Sequence, residues 1–288
     1  MWSTIRAMLP PTGAEFRETT ATEPGQARDA AEAAARAGAN VVVAIGGDGT
    51  LNEALNGLMM VAEPHRPAIA FIPGGTANIL ARALDLPRSV AGIGRVLQSG
   101  VRRCIDVGRV NGRYFATIAG IGFDAEVVAG AIPLRRWAGS KPAHVAAILS
   151  TLMTYRPTTA RVRLDADEHV VPLTFLAAAN TNWYGGGLHI APGARPDDGQ
   201  FLIVYGTGLT RLEILAVMIR AFSGRHLQHP KVMHHPAVVV TVEGDRPLAT
   251  HADGEWLGRW PTLTFEIVPR SLHIIVPPEG TLPAERSL

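Results

Sequence analysis

The sequence predicts an α/β amino-terminal domain built on a parallel sheet, followed by a mainly antiparallel β-sandwich carboxy-terminal domain. Three observations carry this expectation. An all-apolar run at residues 41–45, of the kind buried on both faces of a parallel sheet, enters a glycine-rich turn and leaves it as a helix. A second strand–turn–helix unit follows from Ala68. Near Cys104 the hydrophobic period changes, from short apolar strands alternating with alanine-rich helices to a succession of strands and turns.

Taken in order, residues 15–20 read as a weak strand and residues 26–37 as an alanine-rich helix closed by Gly38. After the strand at 41–45 come a helix over 51–61, a strand over 68–72, a turn over 73–78, and helices over 79–84 and 90–99. Strands are then expected at 105–110, 113–118, 160–164, 170–179, 200–205, 237–242, 262–267 and 272–276. Helices over 141–154 and 210–222 interrupt them, and the natural packing of such a series is an antiparallel sandwich. The division is therefore 1–104 as the α/β domain and 105–288 as the β-sandwich domain, with the option that the extreme carboxy-terminus returns to the first.

Composition narrows the classes. With 288 residues, 47% of them hydrophobic and 18% charged, the chain can bury one large or two modest cores. Its 27 basic and 25 acidic residues leave a net charge of +2, too small to mark a nucleic-acid binder. One cysteine excludes an internal disulfide and a cysteine zinc cluster, which fits a reducing, cytoplasmic setting. Residues 170–194 carry no Lys, Arg, Asp or Glu, but Asn180, Asn182, three successive glycines and Pro192 make that stretch unfit for hydrocarbon.

The chemistry concentrates in two turns. In Gly46-Gly47-Asp48-Gly49-Thr50 the glycines permit backbone conformations that a Cβ would forbid, so N–H groups can converge on an anion beside the positive end of a helix. Asp48 supplies a carboxylate where a phosphate-bound Mg²⁺ needs one. Pro73-Gly74-Gly75-Thr76-Ala77-Asn78 repeats the theme, and both turns are expected at the carboxyl edge of one sheet, where open α/β folds bind ligands.

At these residues the chain resembles the diacylglycerol kinase catalytic family, which includes bacterial lipid kinases and, more distantly, sphingosine and ceramide kinases. The likeness continues through Asn52-Glu53, Ala81-Arg82, Ile105-Asp106-Val107-Gly108, Gly120-Ile121-Gly122-Phe123-Asp124-Ala125, Pro196-Asp197-Asp198-Gly199 and Asp253-Gly254-Glu255. These motifs stand in the family's order over nearly the whole chain. The first loop alone is shared with NAD kinases and phosphofructokinases, so the later motifs discriminate.

The resemblance implies transfer of the ATP γ-phosphoryl group to a lipid hydroxyl, with ATP and Mg²⁺ as cofactors. It assigns nucleotide contacts to Thr22, Gly46, Gly47, Asp48, Gly49, Thr50, Leu51, Asn52, Gly75, Thr76 and Asn78. It names Glu255 as general base, aimed across an interdomain cleft, and puts Asp48 and Asp106 near the metal, with Asp106 alternatively a buried helper to a turn. Asp198, with the carbonyls of Arg195 and Gln200, resembles a structural cation site suited to Mg²⁺ or Ca²⁺. An Asp-Gly pair is also an ordinary hairpin turn, so Asp253 and Glu255 have that second reading.

Two departures stand out. Many relatives carry Asp after the asparagine of the second loop, where this chain has Ile79. The family's earlier strand, with an Asn-Pro-x-Ser/Ala-Gly loop, has no counterpart, and residues 1–10 read as the tail of the helix after it, so the start is expected to be truncated or misassigned. The alternatives to a lipid kinase are a catalytically silent nucleotide- or lipid-binding relative and an NAD kinase.

The partners implied are a membrane lipid as substrate and a transient peripheral contact with the inner face of the membrane, without nucleic acid; a homodimer is left open. Arg135, Arg136, Trp137 and Lys141 open a helix with apolar Val145, Ile148, Leu149 and Leu152, which suits either core packing or a lipid interface. Trp183 and Tyr184 offer a second apolar candidate. His226, His229, His234 and His235 read as a polar loop rather than a zinc site, since Pro230 and Pro236 break any helix that would pair them.

Overall fold

The computed structural model describes residues 2–8 and 15–278, without the side chains of residues 2, 8, 135, 136, 138, 140 and 141. The chain forms two compact units, Met1–Ile105 with Arg270–Leu288, and Asp106–Pro269.

In the first unit, helix α1 (Trp2–Met8) sends Ile5 into a small core with Ile72 and Ile93. Residues 15–22, expected to include a strand, are exposed and form none: no neighbouring strand supplies the ladder bonds an isolated extended segment needs. Helix α2 (Gln26–Arg36) leads to β1 (Val41–Gly46), α3 (Asp48–Leu58), β2 (Ala68–Pro73), α4 (Ile79–Ala83) and α5 (Val90–Ser99). Helix α3 starts three residues before its expected first turn because Gly47 adopts an extended N-cap conformation and the helix winds directly out of the glycine loop. Strand β2 is buried along its whole length and pairs in parallel with β1, Gly46 opposite Pro73. The last part of β11 (Glu255–Val276) joins β2 in parallel through Ile274 and Ile69.

In the second unit the described pairs are antiparallel, so strand pairing over the chain is mixed. Its elements are β3 (Val101–Val110, entering from the first unit), β4 (Arg113–Phe115), β5 (Ile118–Gly122), α6 (Phe123–Ala138), α7 (Ser140–Thr154), β6 (Thr158–Leu164), β7 (Asp167–Ala179), β8 (Phe201–Thr207), α8 (Arg211–Ala221), β9 (Val232–Ala237), β10 (Val239–Ala252) and the first part of β11. β10 and β7 are each bridged twice, by β6 at one end and by β5 at the other. The sheet thereby closes over a core of Phe115, Phe201, Phe265, Val240 and Leu176. On its other face α6, α7 and α8 cover a second apolar layer that includes Ile118, Val127, Ala147, Val204 and Val217.

Two elements escaped the sequence pattern. The run after Gly122, to which the pattern gave no element, winds into α6, and the histidine segment is a 3-10 turn (Arg225–Gln228) followed by edge strand β9. The polar-loop expectation fails because β9 hydrogen-bonds to β8, setting His234 opposite Val204 and His235 opposite Ile203. His226 is fully buried, its Nε2 2.8 Å from the Ile190 carbonyl, and burial lowers its pKa.

Candidate active site

The first unit builds a cradle from two loops drawn together by backbone. At the end of β1, Gly46 accepts a 2.7 Å hydrogen bond from Gly74 N–H, carrying the β1–β2 pairing into the loops. Gly47 and Gly75 then pass so closely that a Cβ on Gly75 would lie 2.5 Å from the Gly47 Cα. A Cβ on Gly46 would meet the Thr50 hydroxyl at 2.5 Å. Gly49, Gly74, Gly75 and Thr76 remain exposed, so this backbone faces solvent while its underside is tightly packed. Glycine at 75 is a steric requirement here, and a Cβ at 47 would be a tight fit at 3.3 Å from the Gly75 Cα.

Asp48 locks the two loops together. Its Oδ2 accepts from Asn78 N–H at 2.8 Å and its Oδ1 from Ile79 N–H at 2.7 Å, capping α4 from across the gap. Asn78 is held left-handed at φ 48, and its side chain grips Gly75 on both sides, accepting from Gly75 N–H at 3.1 Å and donating to the Gly75 carbonyl at 2.8 Å. Asp48 thus organises the second loop whatever else it binds. Ile79, where the family pattern carries Asp, contributes its N–H to this lock.

Other expected nucleotide contacts fall elsewhere. Leu51 and Asn52 are buried in α3, and Asn52 Oδ1 accepts from the Asn56 amide at 3.1 Å. Thr22 is exposed, its N–H donating to Gln26 Oε1 at 2.8 Å. The N-terminus of α2 is filled by Glu53, whose carboxylate accepts from Gly25 and Ala27 N–H at 2.9 and 3.1 Å.

In the second unit the Asp253-Gly254 pair is indeed a two-residue hairpin turn, both residues at positive φ, joining β10 to β11 with Ala252 opposite Glu255. It is also anchored. Asp253 accepts from Ala116, Thr117 and Ile118 N–H at 2.8, 2.9 and 3.2 Å, and from the Thr117 hydroxyl at 2.5 Å. Glu255, half-buried at the start of β11, accepts from Arg113 Nη2 at 2.7 Å.

Asp106 is fully buried and accepts from Gly199 N–H at 2.7 Å, while its own N–H donates to Pro196 O at 2.6 Å. The Gly199 contact matches its expected role as helper to a turn. Arg195 pairs with Asp197 at 3.3 Å, and Asp198 Oδ1 lies 3.3 Å from Gln200 N–H. Among the described residues no three His, Cys, Asp or Glu side chains gather to hold a metal.

Beside the hairpin lies a cluster that sequence reasoning missed. His251 is fully buried; its Nε2 stands 3.1 Å from Asp124 Oδ2 and 2.5 Å from the Tyr184 hydroxyl. Because His251 Nδ1 is buried without a hydrogen-bond partner, the tautomer that orphans no buried N–H carries its proton on Nε2. Burial, reinforced by the charges of Asp124 and Asp253, raises the Tyr184 pKa well above its ordinary value. A Cβ at Gly120 would collide with Asp124, so the glycine of that motif makes room for the cluster.

A glycine-loop α/β unit joined to an antiparallel β unit with a carboxylate-bearing hairpin defines a two-domain phosphotransferase class. A family model described as the diacylglycerol kinase catalytic domain matches residues 1–110, and one described as the YegS C-terminal NAD kinase beta sandwich-like domain matches residues 117–276. A curated diacylglycerol kinase of Bacillus subtilis is 31% identical over 268 residues, 93% of this chain and 88% of its own. One of Staphylococcus haemolyticus is 29% identical over 264 residues, covering 88% of this chain and 76% of its own. The crystal structure of a putative diacylglycerol kinase from Bacillus anthracis shares the fold, with TM-score 0.78 at 23% identity, over 96% of this chain and 90% of that one. This chain belongs to the diacylglycerol kinase family and is an ATP-dependent lipid kinase.

Proposed function

We propose that the acceptor is diacylglycerol and that the chain transfers the γ-phosphoryl group of ATP to its free hydroxyl. The acceptor follows the names of the curated relatives. The observation that carries the nucleotide half is the cradle: exposed backbone at Gly49 and Gly74–Thr76 over a Gly47–Gly75 contact that excludes side chains. Such a surface fits a polyphosphate, which N–H groups and small residues can approach from several directions.

In this reading Gly46, Gly47, Gly49, Thr50, Gly75 and Thr76 bind and orient the phosphates. Asp48 and Asn78 hold the two loops in register. Mg²⁺, when bound with the nucleotide, would neutralise phosphate charge, and the Asp48 carboxylate, held between the two loops, could reach it. Asp198 with the Arg195 and Gln200 carbonyls offers oxygen donors of the type Mg²⁺ or Ca²⁺ takes. Glu255 accepts the proton of the attacking hydroxyl, with Arg113 fixing its orientation and Asp253 fixing the turn that carries it. Asp106 is a positioning residue for the turn at Gly199.

Because diacylglycerol resides in a bilayer, the enzyme works at a membrane surface, although no described helix is long and apolar enough to cross one. Label transfer from γ-labelled ATP to diacylglycerol, a sphingoid base, phosphatidylglycerol and NAD⁺, offered side by side, tests the assignment. Phosphorylated diacylglycerol is the expected product. Label on NAD⁺ alone, or tight ATP binding with no lipid labelled, would overturn it.

A further inference from the structure

The buried cluster beside the hairpin carries one hydrogen-bonding valence that the protein leaves open. Each Asp124 oxygen is engaged, Oδ1 by the Ala125 N–H at 2.9 Å and Oδ2 by His251 Nε2 at 3.1 Å. With its proton on Nε2, His251 cannot accept from Tyr184, so the tyrosine oxygen 2.5 Å away shares that N–H as an acceptor. The Tyr184 hydroxyl hydrogen then points away from the imidazole, and no group among the described residues takes it.

The turn that carries Tyr184 fixes this hydroxyl and leaves room beside it. Tyr184 N–H donates to the Leu188 carbonyl at 2.8 Å, closing a turn over Gly185-Gly186-Gly187, and Trp183 stacks on His189 with ring centroids 4.4 Å apart. A Cβ at Gly185 or Gly186 would meet nothing within 4 Å, so the space next to Tyr184 is open. His251 is fully buried, whereas the Asp124 side chain is 22% exposed, so the cluster is reached from solvent on its Asp124 side. The segment also starts at the hairpin's own anchor: Asn180 and Thr181 N–H donate to the Thr117 carbonyl at 2.8 and 3.1 Å, and Thr117 N–H donates to Asp253. Tyr184 therefore stands three residues from the ties that hold the turn carrying Glu255.

Charge decides what such a donor fits. Burial, and then the charges of Asp124 and Asp253, keep the phenol neutral. The same carboxylates repel an anionic ligand, so a neutral oxygen acceptor suits this hydroxyl, and a glycerolipid presents one in the ester carbonyl next to its free hydroxyl. We propose that Tyr184 recognises the acceptor, its hydroxyl donating a hydrogen bond to an ester carbonyl of the glycerolipid, with His251 and Asp124 as positioning residues that aim it. The assignment rests on the reading that the acceptor is diacylglycerol and deepens it, naming the group that tells an ester-linked acceptor from one without carbonyls.

The test compares kcat/KM of the full chain, at saturating ATP, for a dispersed short-chain diacylglycerol and for the dialkyl ether of the same chain length, which keeps the free hydroxyl and lacks both carbonyls. The wild type is expected to favour the ester about tenfold, the worth of one neutral hydrogen bond. In Tyr184→Phe, which removes the hydroxyl alone, that ratio should fall to near one, with the melting temperature within a few degrees of wild type. His251→Leu should lower the ratio as well, and His251→Gln, which keeps a side-chain N–H, should lower it less. A wild type without ester preference would overturn the proposal, as would a Tyr184→Phe variant that keeps the wild-type ratio, however much it slows both substrates. A wild type that phosphorylates neither glycerolipid while labelling another lipid would sink the acceptor reading, and the proposal with it.

Discussion

The glycine loops of the first unit and the Asp253-Gly254 hairpin of the second reach fixed geometry by opposite means. The loops are shaped by what is missing: with no Cβ at positions 47 and 75, two backbones touch, and the two glycine turns that meet there are visible in the sequence. The hairpin is shaped by what reaches in from afar. Asp253 binds three backbone N–H groups more than 130 residues earlier in the chain, and its neighbour His251 meets Asp124 and Tyr184. Glycine-rich turns are legible in sequence; long-range carboxylate anchors are not. The two designs should also break differently, the first by losing ligand and the second by losing structure.

The largest effect is expected at the lock between the loops. Asp48→Ala leaves the Asn78 and Ile79 N–H groups without their acceptor and removes a carboxylate at the phosphates, so kcat/KM should fall by on the order of 10³-fold or more, with weakened ATP binding. ATP titration and label transfer on the same preparation check both. Turnover within a few-fold of wild type would show that the loops hold without it.

Next comes Glu255→Gln, which preserves the shape of the hairpin and alters its chemistry. For a general base the expected loss in kcat is about 10²- to 10⁴-fold, with ATP affinity unchanged. A loss confined to KM would make Glu255 a binding group. Asp253→Ala sharpens the contrast from the structural side. Three backbone N–H groups lose their acceptor, and denaturant unfolding should show a loss of about 3 kcal/mol, a reduction that Glu255→Gln does not share.

The smallest effect concerns the capping box of α8. Hydrogen bonding to Lys231, and then to Thr210, holds the Glu213 pKa down to about 2. A depressed carboxylate pKa means stability that is present above the ordinary carboxylate range and is lost as pH falls toward the folded value. Between about pH 4.5 and 2 the wild type should therefore lose stability more steeply than Glu213→Gln. Parallel acid titrations followed by circular dichroism would show it; superimposable curves would dismiss the contribution.

Against this background, how much of the molecule could be read from sequence follows a physical line. The helix at 90–99 and the β1 and β2 strands were legible because period and end signals agree locally, as where Ser89 caps α5 through Gly92 N–H. The two glycine loops were legible for the steric reason given above. The expected strand at 15–20 failed because strands exist only with partners, and α6 starts inside the Gly120–Ala125 motif, to which the pattern gave no element. Asn52, expected as a nucleotide contact, lies in α3 with its side chain buried, a placement the motif alone does not give. The His251–Asp124–Tyr184 cluster joins positions far apart in the chain, and no spacing rule reaches it.

ATP affinity of Gly75→Ala, measured by calorimetry beside its melting temperature, probes the phosphate cradle most directly. The added methyl would sit 2.5 Å from the Gly47 Cα, so one loop must move. The expected result is ATP binding weakened about 100-fold, with a melting temperature within a few degrees of wild type. Wild-type affinity in that variant would contradict the claim that the paired glycine loops seat the triphosphate.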